Sequence, residues 1–483
     1  MTSPRSVLPA MSITEHAATP LKAQVAQALR EAIRSGQLAA GTRLPPSRDA
    51  AGQLGLGRNT MVDAYADLVA EGLLDTRGRH GTFVAALPKP PDKTGTGVAR
   101  LARRLPRPDV PGRPQARSNR SSQSDQDWRL GQSGSQLLPL PVWRSAGREA
   151  GRWLPPAGYG DPRGHAGLRE AIAQWLRQER SIQYEPGQIV VTQGAAAGIE
   201  LLARVLLRPG DVCTVERPGY PRAAAALQAA GAVIRPVPVD VHGMLVEPAF
   251  AGGPPALLHL TPAHQYPLGG RLSGERRRAL AALVRRHGSL VIDNEYDHEF
   301  VHEGQNHAPL AAALPDHAVL VSTFAKSVSP ALRLGFVAAP PAIADALAQA
   351  IEAERSHAAW PAQVSMQWML RSGHLQRHLR RVRRHHAQQR ARLLAGLQLN
   401  CPMLQVSGQA GGLHLVLSLG SARQDRLLAH RLRRQAVTLQ TLRDFGTAPA
   451  EDPLGEAVLL GYGHMQPEEL DRAIAALARC LAR

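Results

Sequence analysis

The larger, carboxyl-terminal part of the chain alternates between two kinds of segment, and this alternation constrains the fold more than any other feature. From about Trp128 to the end, short apolar runs typical of β-strands, such as QIVVT, ALLHL, SLVID and AVLVST, are separated by longer helical stretches. Strands that alternate with helices in this way form a largely parallel sheet that is covered by helices. The sequence therefore predicts an α/β domain over residues 128–483.

A segment of different composition precedes this domain. Residues 88–120 contain seven Pro and nine Lys or Arg against two Asp, and such a composition cannot bury enough apolar surface to fold alone. We expect a basic linker over residues 87–127, a compact domain over residues 18–86 and an N-terminal tail over residues 1–17.

The first compact domain shows the pattern of a winged helix-turn-helix. Apolar residues fall four apart in LKAQVAQALREAIRSG, which predicts an amphipathic helix. A second short helix is predicted in SRDAAGQLG with Ser47 as its N-cap, and a third in RNTMVDAYADLVAEG after the turn GLG. The segments LLDT, RGRHG and TFVA then predict a strand, a basic turn and a strand, which form the wing.

Basic and polar residues occupy the positions that would contact DNA. The chain has a formal net charge of +18, so an anionic partner is expected. The predicted recognition helix opens with polar residues, and the wing tip contains glycines that permit close approach to a minor groove. We expect contacts to double-stranded DNA from Arg48, Arg58, Asn59, Thr60, Arg79, His80 and Gly81.

This N-terminal segment, from LKAQVAQALREAIRSGQLAAGTRLPPSR through LGLGRNTMVDAYADLVAEGLLDTRGRHGTFVA, closely resembles the GntR-type winged helix-turn-helix. The resemblance implies that the recognition helix and the wing bind DNA. Pro46 and Gly57 stand where that family often has Ser. A missing phosphate contact or cap there would weaken affinity for DNA without changing the class of protein.

Several segments of the large domain carry residues suited to a phosphorylated, planar, electrophilic cofactor. The helix start around Gly194, Ala195 and Ala196 follows a strand and offers free backbone N–H groups to a phosphate. Tyr220 follows another strand, where an aromatic ring can stack on the cofactor. The remaining candidates are Asp293 for a protonated pyridine nitrogen, Tyr296 for a ring hydroxyl, Lys326 between two strands, and Thr323 and Arg333 for the phosphate.

Residues 128–483 resemble the fold-type I aminotransferases that use pyridoxal 5'-phosphate, and the fused arrangement resembles the MocR subfamily of GntR regulators. The motifs that carry this resemblance are GYGDPRGHAGLREAIAQWL, VTQGAAAGIELLARVLLRPGD, ERPGYPRA, LTPAHQYPLGGRLS, DNEYDHEF, STFAKSVSPALRLGF and AGGLHLVL. The resemblance implies a mostly parallel central sheet with a small C-terminal α+β part. It also implies a homodimer with the cofactor sites at the subunit interface.

The same resemblance assigns roles to individual residues. It implies that Lys326 forms the Schiff base with pyridoxal phosphate and that Tyr220 stacks on the ring. It further implies that Thr323 and Arg333 hold the phosphate, and that Arg222 faces the carboxylate of an effector.

Departures from the aminotransferase pattern bear on activity. The phosphate turn is Gly-Ala-Ala-Ala, where relatives usually carry polar side chains. Tyr266 stands where ordinary aminotransferases place an Asn, with His264 as the residue expected to replace it. Leu459 stands where they usually carry the Arg that holds the substrate carboxylate, with His464 as a candidate replacement. These losses favour a sensor over a fast enzyme.

Two adjacent residues are candidates for the contact to the pyridine nitrogen. The Asp-x-x-Tyr spacing selects Asp293, and this is the assignment we favour. Alignment on the MocR-like pattern Glu-Asp-Asp-Tyr selects Asn294 instead. With Asn294 as the neighbour, the capacity of the ring to accept electrons would be weakened.

Two further patterns in the sequence have competing interpretations. H-E-F-V-H at residues 298–302 matches a zinc-hydrolase motif, but the segment starts as a strand and Gly304 follows closely, so a helix that aligns both His is not expected. The basic run at residues 375–393 is either a solvated helix face or a second, non-specific DNA contact.

Together these features predict a cytoplasmic transcription regulator that senses pyridoxal phosphate or an amine or amino-acid effector. A homodimer would present two DNA-binding heads to two half-sites. The rival hypotheses are a working aminotransferase with a DNA-binding head, a DNA-binding protein with a cofactor-free large domain, and a metalloprotein at residues 298–302.

Overall fold

The computed structural model describes residues 8, 21–71, 73–85, 126–132, 135–302, 308–408, 411–446 and 455–482. The chain divides into two compact units, residues 1–108 and 109–483. The predicted tail and most of the predicted linker lie outside the described residues. Among the helices of the described residues, none is long and apolar enough to cross a membrane.

The described residues of the first unit form three helices followed by a two-stranded hairpin. Its elements are α1 (Leu21–Arg34), α2 (Ser47–Leu54), α3 (Arg58–Ala70), β1 (Leu74–Thr76) and β2 (Thr82–Val84). The strands pair antiparallel with Leu74 opposite Val84. Val25, Leu29 and Leu68 are fully buried in the common core, as the fourfold spacing of apolar residues in α1 predicts.

One predicted boundary in this unit was wrong. α2 begins at Ser47, and the residue preceding the helix is Pro46, with φ −52° and ψ 147°. Ser47 is therefore already helical and forms no side-chain cap. The extended conformation of Pro46 places the boundary one residue earlier than the N-cap preference of Ser predicts.

The second unit is built around an eight-stranded sheet with helices on both faces. In sheet order its strands are β4 (Ile189–Thr192), β11 (Gly335–Ala338), β10 (Ala318–Thr323), β9 (Leu290–Glu295), β8 (Leu257–Leu260), β5 (Val212–Arg217), β6 (Val233–Asp240) and β7 (Gly243–Met244). The pairs from β10 through β6 are all parallel, whereas β11 and β7 run antiparallel to their neighbours. The mostly parallel sheet predicted from the sequence is confirmed.

Helices cover both faces because successive strand residues point to opposite sides. In β9, Val291 packs into the core on one face and Ile292 into the core on the other. The helices of this part are α4 (Leu140–Gly151), α5 (Ala166–Arg180), α6 (Ala195–Leu206), α7 (Pro221–Ala229), α8 (Val246–Phe250), α9 (Gly274–His287), α10 (Leu310–Ala313), α11 (Pro341–Glu354) and α12 (Trp360–Arg371).

A smaller α+β part completes this unit, as expected. Its elements are β3 (Gln126–Asp127), α13 (His374–Asn400), β12 (Gln405–Ser407), β13 (His414–Ser418), α14 (Ala422–Arg434), β14 (Val437–Thr438), β15 (Gln440–Thr441), β16 (Val458–Gly461) and α15 (Pro467–Leu481). Strands β12, β13, β16 and β15 form an antiparallel sheet. β3 pairs with β14, and the adjacent Trp128 is fully buried in this core.

Candidate cofactor site and DNA-binding surface

A phosphate cradle lies where α6 begins. Gly194, with φ +93°, precedes the helix, and the first N–H groups of a helix have no acceptor within it. Thr323 at the end of β10 pairs with Gly335 of β11, and a Cβ on Gly335 would lie 3.0 Å from the Gly194 backbone. The structure thus brings the Gly194–Ala196 turn close to Thr323. The Thr323 hydroxyl lies 3.3 Å from the Leu334 carbonyl, to which it donates.

Two arginines extend this region toward an aromatic ring. Arg333 is exposed, has φ +49° and lies just before β11. Arg222 is exposed at the start of α7. Burial raises the pKa of the Tyr220 hydroxyl, and the positive charges of Arg222 and Arg333 oppose that shift. Both guanidinium groups are therefore near enough to Tyr220 to act on an anionic ligand that contacts this ring.

Lys326 lies at the centre of the site. Its Nζ donates a hydrogen bond to the Gly131 carbonyl, 2.7 Å away. Burial lowers the pKa of the Lys326 amine to about 8, although the charge of Asp297 acts in the opposite direction. Lys326 is also the only lysine in residues 128–483 of a chain that otherwise uses Arg. An amine that is partly neutral near pH 7 is suited to attack a carbonyl carbon.

Aromatic side chains form one wall beside the lysine. Tyr266 makes edge contacts with Tyr220 and with Tyr296, at ring-centroid distances of 5.7 and 5.2 Å. The Tyr296 hydroxyl lies 2.9 Å from Nδ1 of His264. The predicted ring-contacting residues Tyr220 and Tyr296 are thus connected through Tyr266.

His264 is fixed between an acid and a glycine. Its Nδ1 lies 2.9 Å from Oδ2 of Asp297, and both side chains are buried. A Cβ on Gly412 would lie 1.9 Å from the His264 ring, so only glycine fits there. Within the described part of the chain, Nε2 of His264 is buried with no hydrogen-bond partner. This nitrogen is available to a ligand.

The two candidates for the pyridine nitrogen point to opposite faces of the sheet. Oδ2 of Asp293 accepts a hydrogen bond from the Ala311 N–H at 3.1 Å, and its charge interacts with Arg277. Nδ2 of Asn294 lies 3.2 Å from Nε2 of His259. The His259 ring in turn stacks on the Tyr220 ring at a centroid distance of 6.3 Å.

Leu459 replaces the expected arginine with an apolar surface. It is fully buried in a cluster with Val416 and Phe445, and the partly buried Leu130 and Tyr266 pack against this cluster. Because Tyr266 also contacts Tyr220 and Tyr296, the apolar cluster borders the aromatic wall of the site.

These residues fit pyridoxal phosphate. The site offers a partly neutral amine on Lys326, an N–H-lined phosphate cradle at Gly194, a stacking ring on Tyr220 and a buried amide oxygen on Asn294 that has no partner among the described residues. The cofactor would supply an electrophilic carbonyl and a ring able to accept electrons.

The H-E-F-V-H segment is not helical. Residues 296–302 follow β9 as turns and an isolated bridge. His298 is buried, and burial lowers its pKa well below the usual range. Nε2 of His302 donates to the Gly412 carbonyl at 2.9 Å. Across the described ranges, no group of three metal-binding side chains is brought together.

In the first unit, four of the predicted DNA-contacting residues, Arg48, Arg58, Asn59 and His80, lie at exposed positions. Arg48 in α2 and both Arg58 and Asn59 at the start of α3 are exposed, whereas Thr60 is half-buried. Arg79 and the exposed His80 lie in the short 3₁₀ turn of the wing.

A further arginine, which sequence reasoning missed, lies beside the wing. Gly81 has φ +104°, and a Cβ at this position would lie 3.0 Å from Nε of Arg43. Arg43 additionally forms an isolated bridge with Phe83. Arg43 therefore adds positive charge beside the predicted wing residues.

Sequence reasoning also missed three residues of the cofactor site. Asp297 directly follows Tyr296, and its position as a further acid in DNEYDHEF is a signal that the sequence offers. His259 occupies a strand position whose direction follows from alternation once the register is known. Gly131 carries no local signal, since it contacts Lys326 across 195 residues of sequence.

Comparison with known proteins agrees with this architecture. The family model for bacterial regulatory proteins of the gntR family matches residues 21–84, and that for aminotransferase class I and II matches residues 129–477.

Individual relatives share the whole arrangement. The chain is 30% identical to a probable rhizopine catabolism regulatory protein, MocR, of Rhizobium meliloti over 95% of this chain and 93% of the relative. It is 31% identical to the pyridoxine biosynthesis transcriptional regulator PdxR of Corynebacterium glutamicum over 97% of both chains.

Solved structures support the fold of the large domain. An archaeal alanine:glyoxylate aminotransferase superposes with a TM-score of 0.66 at 24% identity, covering 73% of this chain and 89% of that one. The family assignment also supports the pyridoxal phosphate expected from the sequence. The chain therefore belongs to the MocR-like GntR transcription regulators, in which a winged helix-turn-helix is joined to a domain of the aminotransferase class I and II family.

Proposed function

We propose that this regulator attaches pyridoxal phosphate to Lys326 and reports the state of that linkage to its DNA-binding unit. The signal is either the cofactor itself or an amine or amino acid that displaces Lys326 from it. Such a mechanism requires two states of the protein that bind DNA differently, with the cofactor stabilising one of them.

The hydrogen bond from Lys326 to Gly131 carries this proposal. Covalent attachment converts the Lys326 amine into an imine nitrogen, which changes its ability to donate to the Gly131 carbonyl. Gly131 lies in residues 126–132, the first described segment of the large unit after the predicted linker. That segment is held by the buried Trp128, whose backbone N–H donates to the Thr438 carbonyl oxygen at 2.8 Å. A change at Lys326 thus acts on the segment that continues into the linker.

Further residues take the roles inferred from the sequence. In this proposal the Gly194–Ala196 turn, Thr323 and Arg333 hold the phosphate. Support comes from Gly335, which pairs with Thr323 and lies against the Gly194 backbone, and from the exposure of Arg333 two residues before it. Tyr220 covers the ring and Tyr296 approaches its hydroxyl. Arg222 and His264 contact the effector.

We also propose that the active form is a cytoplasmic homodimer that reads two half-sites on double-stranded DNA. Support comes from large apolar side chains that remain exposed along residues 140–159 of the single chain. Leu140, Trp143, Trp153, Leu154 and Tyr159 are between 37% and 93% exposed. An apolar surface of this kind marks an interaction site.

Attachment to Lys326 can be tested directly. The full-length protein is mixed with pyridoxal phosphate, the visible absorption band is recorded, and borohydride reduction is followed by peptide mass analysis. The chain has four lysines, Lys22, Lys89, Lys93 and Lys326. The proposal predicts a label on Lys326 and loss of the band in Lys326→Ala. A stoichiometric label elsewhere, or no band, would refute it.

An aminotransferase with a DNA-binding head is the second candidate. The family match over residues 129–477 favours it. Leu459 opposes it, because this buried apolar residue stands where aminotransferases usually carry the Arg that holds the substrate carboxylate. Multiple turnovers of an amino donor with a keto acid would establish the enzyme, and a single turnover or none would support the sensor.

A further inference from the structure

The end of β9 carries an uncharged side chain, Asn294, on the face of the sheet that also holds His259 and Tyr220. Asp293, Asn294 and Glu295 are consecutive, and their side chains alternate between the two faces of the sheet. Asn294 shares its face with His259 and Tyr220. The expectation that favoured Asp293 as the acid is therefore in conflict with the direction of its side chain.

We propose that the neutral amide of Asn294, not the carboxylate of Asp293, contacts the pyridine nitrogen, so that the site links to amines but does not readily break a C–H bond. This inference rests on the proposed function, namely that pyridoxal phosphate is attached to Lys326. It explains how a site with a reactive lysine can detect amines without catalysing their turnover.

The geometry around Asn294 leaves the amide available to a ligand. The side chain is 3% exposed, and its Oδ1 has no hydrogen-bond partner among the described residues. Its Nδ2 is paired with Nε2 of His259. A rotation of the amide by 180°, with the proton of His259 on Nε2, keeps that pair and turns the Asn294 N–H₂ group toward the ring. An amide N–H can then donate to an unprotonated pyridine nitrogen.

Among the described residues, the side chains that contact Asn294 and Tyr220 carry no negative charge that would stabilise a protonated ring. Burial lowers the pKa of His259 to about 4, so this neighbour is neutral at physiological pH. The remaining close group, Tyr220, keeps its proton because burial raises its pKa. Arg222 and Arg333, which act on Tyr220, are positive and would further disfavour a second positive charge.

The two carboxylates of β9, Asp293 and Glu295, belong to a different network. Asp293 accepts the Ala311 N–H on the other face. Glu295 forms a buried ion pair with Arg180, in which both side chains are at most 2% exposed. Neither acid can reach the ring nitrogen without reversing the side-chain alternation of β9.

The chemical consequence follows from how the cofactor works. Removal of a proton from the carbon next to the imine leaves an electron pair, which a protonated pyridine ring accepts well and a neutral ring accepts poorly. Formation of the imine itself, in which an amine adds to the carbonyl and water leaves, makes no such demand. An amide at this position therefore preserves binding of amines and suppresses the later step.

The test uses pyridoxal phosphate carrying ¹⁵N at the ring nitrogen, bound to the full-length protein. The ¹⁵N chemical shift reports whether that nitrogen is protonated, independently of any activity. We expect an unprotonated ring near neutral pH, where His259 is uncharged, in the wild type and in Asp293→Asn. In Asn294→Asp, where a carboxylate faces the ring, we expect the shift of a protonated nitrogen.

A protonated ring in the wild type would overturn the inference. So would a protonated ring that is lost in Asp293→Asn, since Asp293 would then be the true neighbour. If Asn294→Asp does not fold, the wild type and Asp293→Asn still decide the question. Failure of the proposed function is distinguishable, because the visible band would then be absent and the ¹⁵N signal would be that of free cofactor.

Discussion

Nζ of Lys326 donates a hydrogen bond to the carbonyl oxygen of Gly131, and the two residues are 195 positions apart in the chain. One partner is the proposed site of cofactor attachment. The other lies on the segment that enters the large unit from the linker. In the proposed function, this contact couples cofactor attachment to DNA binding.

Substitution of Gly131 tests that contact. Gly131 has φ +86°, and a Cβ there would lie 3.0 Å from Nζ of Lys326. We expect Gly131→Ala to weaken cofactor attachment, measured by titration of the visible band. Gly210→Ala is the control, because Gly210 has φ +94° with no atom within 4 Å of its Cβ position. Both variants should lose about 1–2 kcal/mol of stability from the left-handed backbone, and equal cofactor affinity in the two would contradict the assignment.

The pH dependence of attachment follows from the Lys326 amine. Burial lowers its pKa to about 8, so the neutral, nucleophilic form increases with pH up to and through that value. The attachment rate, followed by stopped-flow absorbance, should rise from pH 6 and level off above about pH 9. A rate that keeps rising through the unperturbed Lys pKa of about 10.4 would show an exposed amine instead.

The buried pair of Arg180 and Glu295 is expected to hold the face of β9 opposite Asn294. The loss of Arg180 leaves the buried Glu295 carboxyl without its ion-pair partner. Arg180→Met should destabilise the large unit by about 3–5 kcal/mol.

All six Trp lie within residues 128–483, so Trp fluorescence during urea unfolding reports this unit. Arg177→Met, at an exposed position of the same helix, should change stability by about 0.5 kcal/mol or less. Similar losses in both variants would show that the buried pair contributes nothing specific.

Arg58 tests the DNA-binding surface. The side chain is exposed at the start of α3, so Arg58→Ala should weaken operator binding by about 1–3 kcal/mol and reduce the salt dependence. Lys22→Ala also removes one positive charge, but Lys22 pairs with Asp67 at 3.6 Å on another part of the unit. Fluorescence anisotropy at several salt concentrations compares the two, and equal losses would reduce the role of Arg58 to net charge.

Much of the architecture follows from local pattern. The alternation of apolar runs and helices predicts the mostly parallel sheet, and the spacing in residues 21–84 predicts the helices and the wing. These features depend on neighbours in sequence. Ser47 shows the limit, since the conformation of Pro46 moved the helix boundary by one residue.

The details of the site depend on distant contacts and on strand register. Asp293 and Asn294 are adjacent and both polar, so composition cannot tell which faces the cofactor. The register of β9 against β8 places Asn294 beside His259 and sends Asp293 to Ala311. The contact between Gly131 and Lys326 likewise appears only when the chain folds.

The most direct measurement is the affinity of the full-length protein for DNA from its own upstream region, with and without pyridoxal phosphate at one fixed salt concentration. If cofactor attachment and DNA binding are coupled, the cofactor changes the Kd of the wild type for DNA by about fivefold or more. In Lys326→Ala, the cofactor is expected to leave the Kd for DNA unchanged. An unchanged Kd in wild-type protein whose visible band shows full attachment would contradict the coupling.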